Sequence, residues 1–306
     1  MVPPVNQSRR ALPRNPETRM HEADNYRATL HCSELAHVED SSVSPYGPAP
    51  SGFEPQYQIG LPYFGFFAYQ VGSRRWLIDA NRTLFASPGW EFQDYHPVPD
   101  VGHASILINP TRHLLDEVCG GLGPNRCGAF IDVTRPSTMR LHLLIQHMLR
   151  LSPEANDPLH NDEWVVHALD EAINSAPPKA GRQSKIVDHA KEVLHGRVCE
   201  RLSLDQIARE VGVTPVYLTQ EFTRSEGTPL YRYQLRLRLG RALLELPHCE
   251  DITGLALDLG FSSHSHFTAA FGKTFGMTPS EYRQRVGTRQ LRLDKRQAQR
   301  GKLRAA

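Results

Sequence analysis

The residues of this chain best suited to chemistry lie in "GFSSHSHFTAAFGKTFGMTP", residues 260–279. Phe267, Phe271 and Phe275 recur at a spacing that stacks them on one face of an α-helix. The opposite face carries His264, Ser265, Thr268 and Lys273, with Ser262 and Ser263 at its start. Donors, acceptors, methyls and one cation on an otherwise solvated face can read base edges and touch phosphates. They do not form a catalytic set. His264 and His266 stand two apart, do not share a helix face, and lack a nearby Cys or carboxylate, so no metal is expected there. No catalytic residue and no cofactor is expected.

The same pattern occurs earlier, in residues 204–229, "LDQIAREVGVTPVYLTQEFTRSEGTP". Ala208, Gly212, Val213 and Thr214 match Ala256, Gly260, Phe261 and Ser262. Leu218, Phe222 and Gly227 match Phe267, Phe271 and Gly276 after one added residue. Each copy reads as a short helix ending at glycine, a Thr or Ser cap (Thr214, Ser262), and a second helix buried at i and i+4. That is a helix-turn-helix. The first copy's solvent face offers Pro215, Val216, Thr219 and Gln220, with Arg224 further along.

The elements that must position these faces follow from the intervening chain. "PLYRYQLRLRLGRALLEL" (229–246) has one apolar stripe through Leu230, Tyr233, Leu237 and Leu244, and a second through Leu235, Leu239, Ala242, Leu243 and Leu246. A helix of that length spans about 27 Å. Buried on two sides, it would hold two recognition helices for successive major-groove turns, about 34 Å apart. The site on double-stranded DNA would then be asymmetric.

Charge divides the chain in the same place. Residues 1–180 carry a net −6 and residues 181–306 a net +8, although the whole chain is only +2. A basic half is suited to a polyanion. The five cysteines are scattered without C-x-x-C pairs, which fits a reducing cytoplasm. Neither a secretory signal nor a membrane-spanning run is expected.

Residues 1–50, rich in Pro, Ser and Arg, read as a partly disordered N-terminal arm outside the core. From 57 to 109, short runs rich in β-formers ("YFGFFAYQ", "RWLID", "TLFAS", "WEFQDYH", "ASILIN") predict a sandwich or small barrel. Two amphipathic helices are expected at 137–151 and 162–176, packing on the sandwich or pairing with a second subunit. The expected boundaries are 51–176 for the sheet domain, 177–183 for a linker, 184–288 for the helical domain and 289–306 for a basic tail. The fold class is α+β, a β-sandwich with helices followed by an all-α domain.

On "LSLDQIAREVGVTPVYLTQEF", "LRLRLGRALLEL", "DITGLALDLGFSS" and "HFTAAFGKTFGMTPSEYR", residues 184–286 resemble the DNA-binding domain of the AraC/XylS type of bacterial transcription regulator. "RTLFASPGWEFQDYHPVPDVGHASILIN" looks like the cupin-like sensor domain often fused to it. The resemblance implies a homodimeric regulator answering to a small-molecule effector, with RNA polymerase as a further possible partner. It also implies DNA contacts at the residues above, with Arg224, Lys273 and Arg283 for phosphate. The family often has arginine where this chain has Gln220 and Ala269, so readout here leans on Gln220, His264 and methyl groups. For the effector, Phe66, Trp76, Trp90, Tyr95 and His96 are the candidates, because aromatic and polar groups line such pockets. An effector-independent regulator and a cupin metalloenzyme remain the alternatives. His96 and His103 lack a carboxylate at metal-binding spacing.

Overall fold

The computed structural model describes residues 25–121, 123–124, 127–149, 158–175, 184–198 and 200–286. The expected linker and the basic tail lie outside these residues. The N-terminal half contains nine described strands: β1 (Tyr26–Cys32), β2 (Ala36–Val43), β3 (Ser51–Phe53), β4 (Gln58–Val71), β5 (Arg74–Asp79), β6 (Arg82–Ala86), β7 (Glu91–Tyr95), β8 (His103–Pro110) and β9 (Thr134–Pro136). All the pairings are antiparallel.

Strand β4 belongs to two sheets. Its first half lies between β8 and β6, in the order β1-β2-β8-β4-β6-β9, and its second half pairs with β5 and β7, with β3 beyond β7. The crossing is at Gly65, whose φ is +77° and where a Cβ would lie 1.8 Å from the Gly102 carbonyl oxygen. Only glycine allows the two backbones that approach.

Four helices cover one face of the first sheet: α1 (Arg112–Val118), α2 (Gly128–Asp132), α3 (Met139–Met148) and α4 (Pro158–Ile173). Ile59, Leu61, Phe85, Ile106 and Ile108 of the sheet bury against Leu115, Phe130, Leu141, Ile145 and Leu169. Residues 26–43 depart from the expected arm. They form β1 and β2, and Leu30, Ala36 and Val38 belong to this core. The composition of residues 1–50 concealed the alternation in "AHVEDSSV", whose inward residues include serines and an aspartate. Asp40 is satisfied there by the Tyr63 hydroxyl, which donates to it at 2.6 Å.

The C-terminal half is helical: α5 (Lys185–Gly196), α6 (Leu204–Glu210), α7 (Pro215–Glu226), α8 (Leu230–Glu245), α9 (Ile252–Asp258) and α10 (His264–Phe275), with residues 279–286 also helical. Helix α8 is buried on both expected sides. Leu230, Tyr233 and Leu237 join α5, α6 and α7, whereas Leu239, Ala242 and Leu243 join α9 and α10. A third side meets the sheet domain: Leu244 belongs to its core, and a Cβ on Gly240 would lie 3.0 Å from the His142 ring. Gly240 therefore serves close helix packing and breaks nothing.

Candidate nucleic-acid interface and effector cavity

Each helix-turn-helix is built from local signals. Ser203 caps α6 in a reciprocal pair with Gln206, and Thr214 caps α7 by accepting from the Tyr217 N–H at 3.3 Å. Between them Gly212, at φ +75°, lets the Val213 N–H reach the Ala208 carbonyl at 2.9 Å. The second copy repeats this with Asp251 capping α9, Gly260 at φ +79° and the Phe261 N–H donating to Ala256 at 2.9 Å. The cap of α10 is Ser263, which accepts from the His266 N–H at 3.1 Å, and not Ser262. The extra residue of this copy therefore precedes the cap, leaving Ser262 to hydrogen-bond the His266 ring at 3.0 Å.

Leu218 and Phe222 of α7 and Phe267 and Phe271 of α10 are fully buried. This anchoring turns Thr214, Val216, Thr219 and Gln220 outward on α7, with Pro215 half-buried. On α10 it exposes Ser263, His264, Ser265 and Lys273, with Ser262 exposed just before the cap. Thr219 donates its hydroxyl to the Pro215 carbonyl at 2.9 Å, which leaves its methyl as the outward group. Thr268 is half-buried, and its Oγ1 has no hydrogen-bond partner among the described residues.

Two of the expected phosphate cations are engaged within the protein. Arg224 grips Glu221 through Nε at 3.1 Å and Nη2 at 2.7 Å, and Arg283 donates to the Cys249 and Glu250 carbonyls at 3.1 Å each. Lys273 is exposed. Sequence reasoning missed Tyr217, which is exposed on the first turn of α7. It also missed His266, which meets the Tyr231 hydroxyl of α8 at 3.4 Å and so ties α10 to the spacer helix. The i, i+3 spacing of Tyr217 from Thr214 was the available signal for the former.

Residues 207–285 match a family model described as a helix-turn-helix domain. Over 102 residues the chain is 34% identical to the HTH-type transcriptional activator AarP of Providencia stuartii, covering 33% of this chain and 76% of that protein. The chain belongs to the AraC-type transcription regulators. It is 27% identical to the transcriptional activator RhaR of Klebsiella pneumoniae over 35% of this chain and 39% of that one. The match to the Msm operon regulatory protein of Streptococcus mutans spans 43% of that relative, so the chain spans about two-fifths of the length of these two. A solved AraC-type regulator from Chromobacterium violaceum is 34% identical over 33% of this chain and 91% of its own, with a TM-score of 0.31.

In this AraC-type chain the sheet domain and the first helix-turn-helix share a buried polar junction. Asp79, at the end of β5, is hydrogen-bonded by His195 of α5 at 2.9 Å and by the Tyr233 hydroxyl of α8. Burial alone would raise the Asp79 carboxyl, but His195, Lys191 and Tyr233 outweigh it and hold it at about 2. Beside it, Glu226 at the end of α7 accepts from Lys191 at 2.6 Å and from Arg82 of β6 at 2.7 Å. Burial opposes the Glu226 charge, and these two cations more than restore it. The C-terminus of α7 is thus tied to the sheet by charge.

The sheets also line a cavity of ≈ 520 Å³ that opens to solvent. Gly60, Pro62, Phe67 and Tyr69 of β4 line it, with Glu39 and Ser41 of β2, His103, Ser105 and Asn109 of β8, and Glu54 and Asp94. None of the five aromatic and histidine candidates does. Phe66 stacks on His195, ring centroids 4.3 Å apart, and so faces the helical domain. Trp76 and Trp90 pack at the edge of the cluster that holds Phe67 and Tyr69. Tyr95 is exposed and donates to Gln93 at 2.6 Å. His96 comes nearest, with its Nε2 3.3 Å from His103 Nδ1. Strand β4 bulges between Pro62 and Phe64, so the residues it turns to the cavity switch from Gly60 and Pro62 to Phe67 and Tyr69.

Among the described residues no three His, Cys, Asp or Glu gather as a metal site, and no helix is long and apolar enough to cross a membrane.

Proposed function

We propose that this chain is an effector-responsive transcription activator that reads an asymmetric DNA site with α7 and α10. The observation that carries this is the pair of anchored helices on α8, each with a capped N-terminus and a small-residue polar face in solvent. At 16 residues, α8 is about 24 Å long, which suits two successive major-groove turns. Gln220 and His264 are the direct readers, and the methyls of Thr219 and Ala269 meet thymine. Lys273 and the two helix N-termini supply phosphate contacts. Arg283 serves chiefly to hold the fold through the carbonyls it meets, whereas Arg224, its side chain 70% exposed beside Glu221, remains open to phosphate.

The ≈ 520 Å³ cavity is the effector site in this reading, since its volume falls in the range of small-molecule pockets. The Asp79 and Glu226 junctions give the sheet domain a physical hold on α7, through which occupancy biases the DNA-competent arrangement. A homodimer acting in the cytoplasm at RNA polymerase completes the proposal.

The test is selection of bound DNA from a random pool by the full chain at two salt concentrations. An enriched motif of two unlike blocks about one helical turn apart supports the double reader. Binding that collapses as salt rises and enriches no motif would mean phosphate contact alone, and would overturn the assignment of both recognition helices.

A further inference from the structure

The cavity within the sheets is acidic. Its lining holds the carboxylates Glu39, Glu54 and Asp94 against a single arginine, Arg27. That arginine stands at the mouth, its side chain 56% exposed, and lies 3.8 Å from Glu39. Among the described residues neither Glu54 nor Asp94 has a Lys or Arg within ion-pair distance, although Arg27 acts on both from further off. Glu54 is buried and accepts one hydrogen bond from the Tyr69 hydroxyl at 3.0 Å. Asp94 is only 6% exposed, and its Oδ1 has no hydrogen-bond partner among the described residues. Its Oδ2 lies 4.0 Å from His103 Nε2. That imidazole supplies no compensating charge, because burial, and then His96, holds His103 in its neutral form. A buried carboxyl oxygen that faces a cavity unpaired costs free energy unless something enters to meet it.

The walls beside these carboxyls are aromatic. Tyr69 and Phe92 stack 5.7 Å apart, and Phe67 stacks on His103 at 3.8 Å. Aromatic faces with a carboxylate favour a cation. Among the described residues no third metal-ligating group joins the pair, so an organic cation fits better than a metal ion. Elsewhere the cavity offers Ser41, Gln58, Ser105 and Asn109, neutral groups suited to hydroxyls.

We propose that the effector is a small hydroxylated amine whose ammonium group lies between Asp94 and Glu54 and whose hydroxyls meet the serine and amide groups of the same cavity. This rests on the reading of the cavity as the effector site. Burial pushes the Asp94 carboxyl up to about 8, Glu54 pushes in the same direction, and Arg27 opposes them. Tyr69 and His103, the other titratable groups facing it, are both neutral near that pH, since burial raises the one and lowers the other. At neutral pH an incoming ammonium therefore displaces the Asp94 proton into solvent.

The experiment uses the full chain with ethanolamine, glucosamine and putrescine at millimolar concentration. Their neutral counterparts ethylene glycol, glucose and butanediol run beside them, with acetate and benzoate as anions. Thermal shift, calorimetry in buffers of different ionisation enthalpy, and hydrogen exchange along β3, β7 and β8 are the readouts. The expected result is that an amine raises the melting temperature, protects those strands and releases close to one proton at neutral pH. Its affinity should fall about tenfold or more in Asp94→Asn. Protection of the same strands by a neutral or anionic probe, and by no amine, overturns the cation and keeps the cavity as effector site. Amine binding of unchanged affinity in Asp94→Asn also overturns the cation. No probe protecting these strands overturns both readings.

Discussion

His195 Nε2 lies 2.9 Å from Oδ2 of Asp79, which joins the first helix of the DNA-reading half to the end of a sheet strand 116 residues earlier. Tyr233 donates to the same oxygen from the spacer helix. Three elements of the sheet domain and the helical domain thus converge on one buried carboxylate.

Removing one donor from that carboxylate tests its weight. Tyr233→Phe keeps the ring on Phe222, 5.2 Å away, and should cost about 1–3 kcal/mol in urea unfolding. His195→Ala should cost more, roughly 3–5 kcal/mol, because a buried charge loses a partner. Asp79 has its folded pKa depressed to about 2 from 3.8. Its contribution is therefore present above the unfolded value and is lost as pH falls through the folded one. His195→Ala should flatten that acid limb.

Asp94 behaves in the opposite sense. Its folded pKa is raised from 3.8 to about 8, so the stability it contributes is complete below the unfolded value and is lost as pH rises through the folded one. Every tenfold difference in proton affinity between the folded and unfolded chain is worth about 1.4 kcal/mol. Asp94→Asn should accordingly melt higher than the parent above neutral pH and approach it near the unfolded carboxyl pKa. Equal melting curves at both ends would contradict the burial of this group.

Gly260 and Gly276 both sit at positive φ, +79° and +70°. An alanine at either costs about 1–2 kcal/mol for the left-handed backbone. At Gly276 nothing lies within 4 Å, but at Gly260 the new Cβ would meet Arg238 Nη2 at 2.7 Å. Gly260→Ala should therefore be the more destabilising in a direct comparison of melting temperatures, because Arg238 must also leave the Glu200 carbonyl it holds at 3.0 Å.

The surface residues separate by what they touch. Lys273→Ala should weaken DNA binding for every sequence and lower the salt slope by about one. Arg283→Ala should reduce stability and leave that slope nearly unchanged, since its guanidinium caps the carbonyls of Cys249 and Glu250. Gln220→Ala should relax the selected motif at one or two base pairs, a discrimination of about 1–3 kcal/mol. An unaltered motif would remove Gln220 from the readers.

The two helix-turn-helix units were legible in the sequence because everything that forms them is local. The cap Thr214, the glycines at 212 and 260, and the buried Phe222, Phe267 and Phe271 act within a few residues of one another, and the expected cap Ser262 missed by one residue. Five sheet strands were legible from runs of β-formers for the same reason. Strands β1 and β2 were not, because a buried Asp40 becomes acceptable there once the Tyr63 hydroxyl of β4 reaches it. The cavity lining lay beyond reach too. A bulge after Pro62 moves the inward phase of β4 from Gly60 to Phe67, and whether a strand bulges depends on the neighbour it pairs with. The charge junctions at Asp79 and Glu226 are the extreme case. Residues more than 100 positions apart meet there, and only the packed fold decides which buried charges find one another.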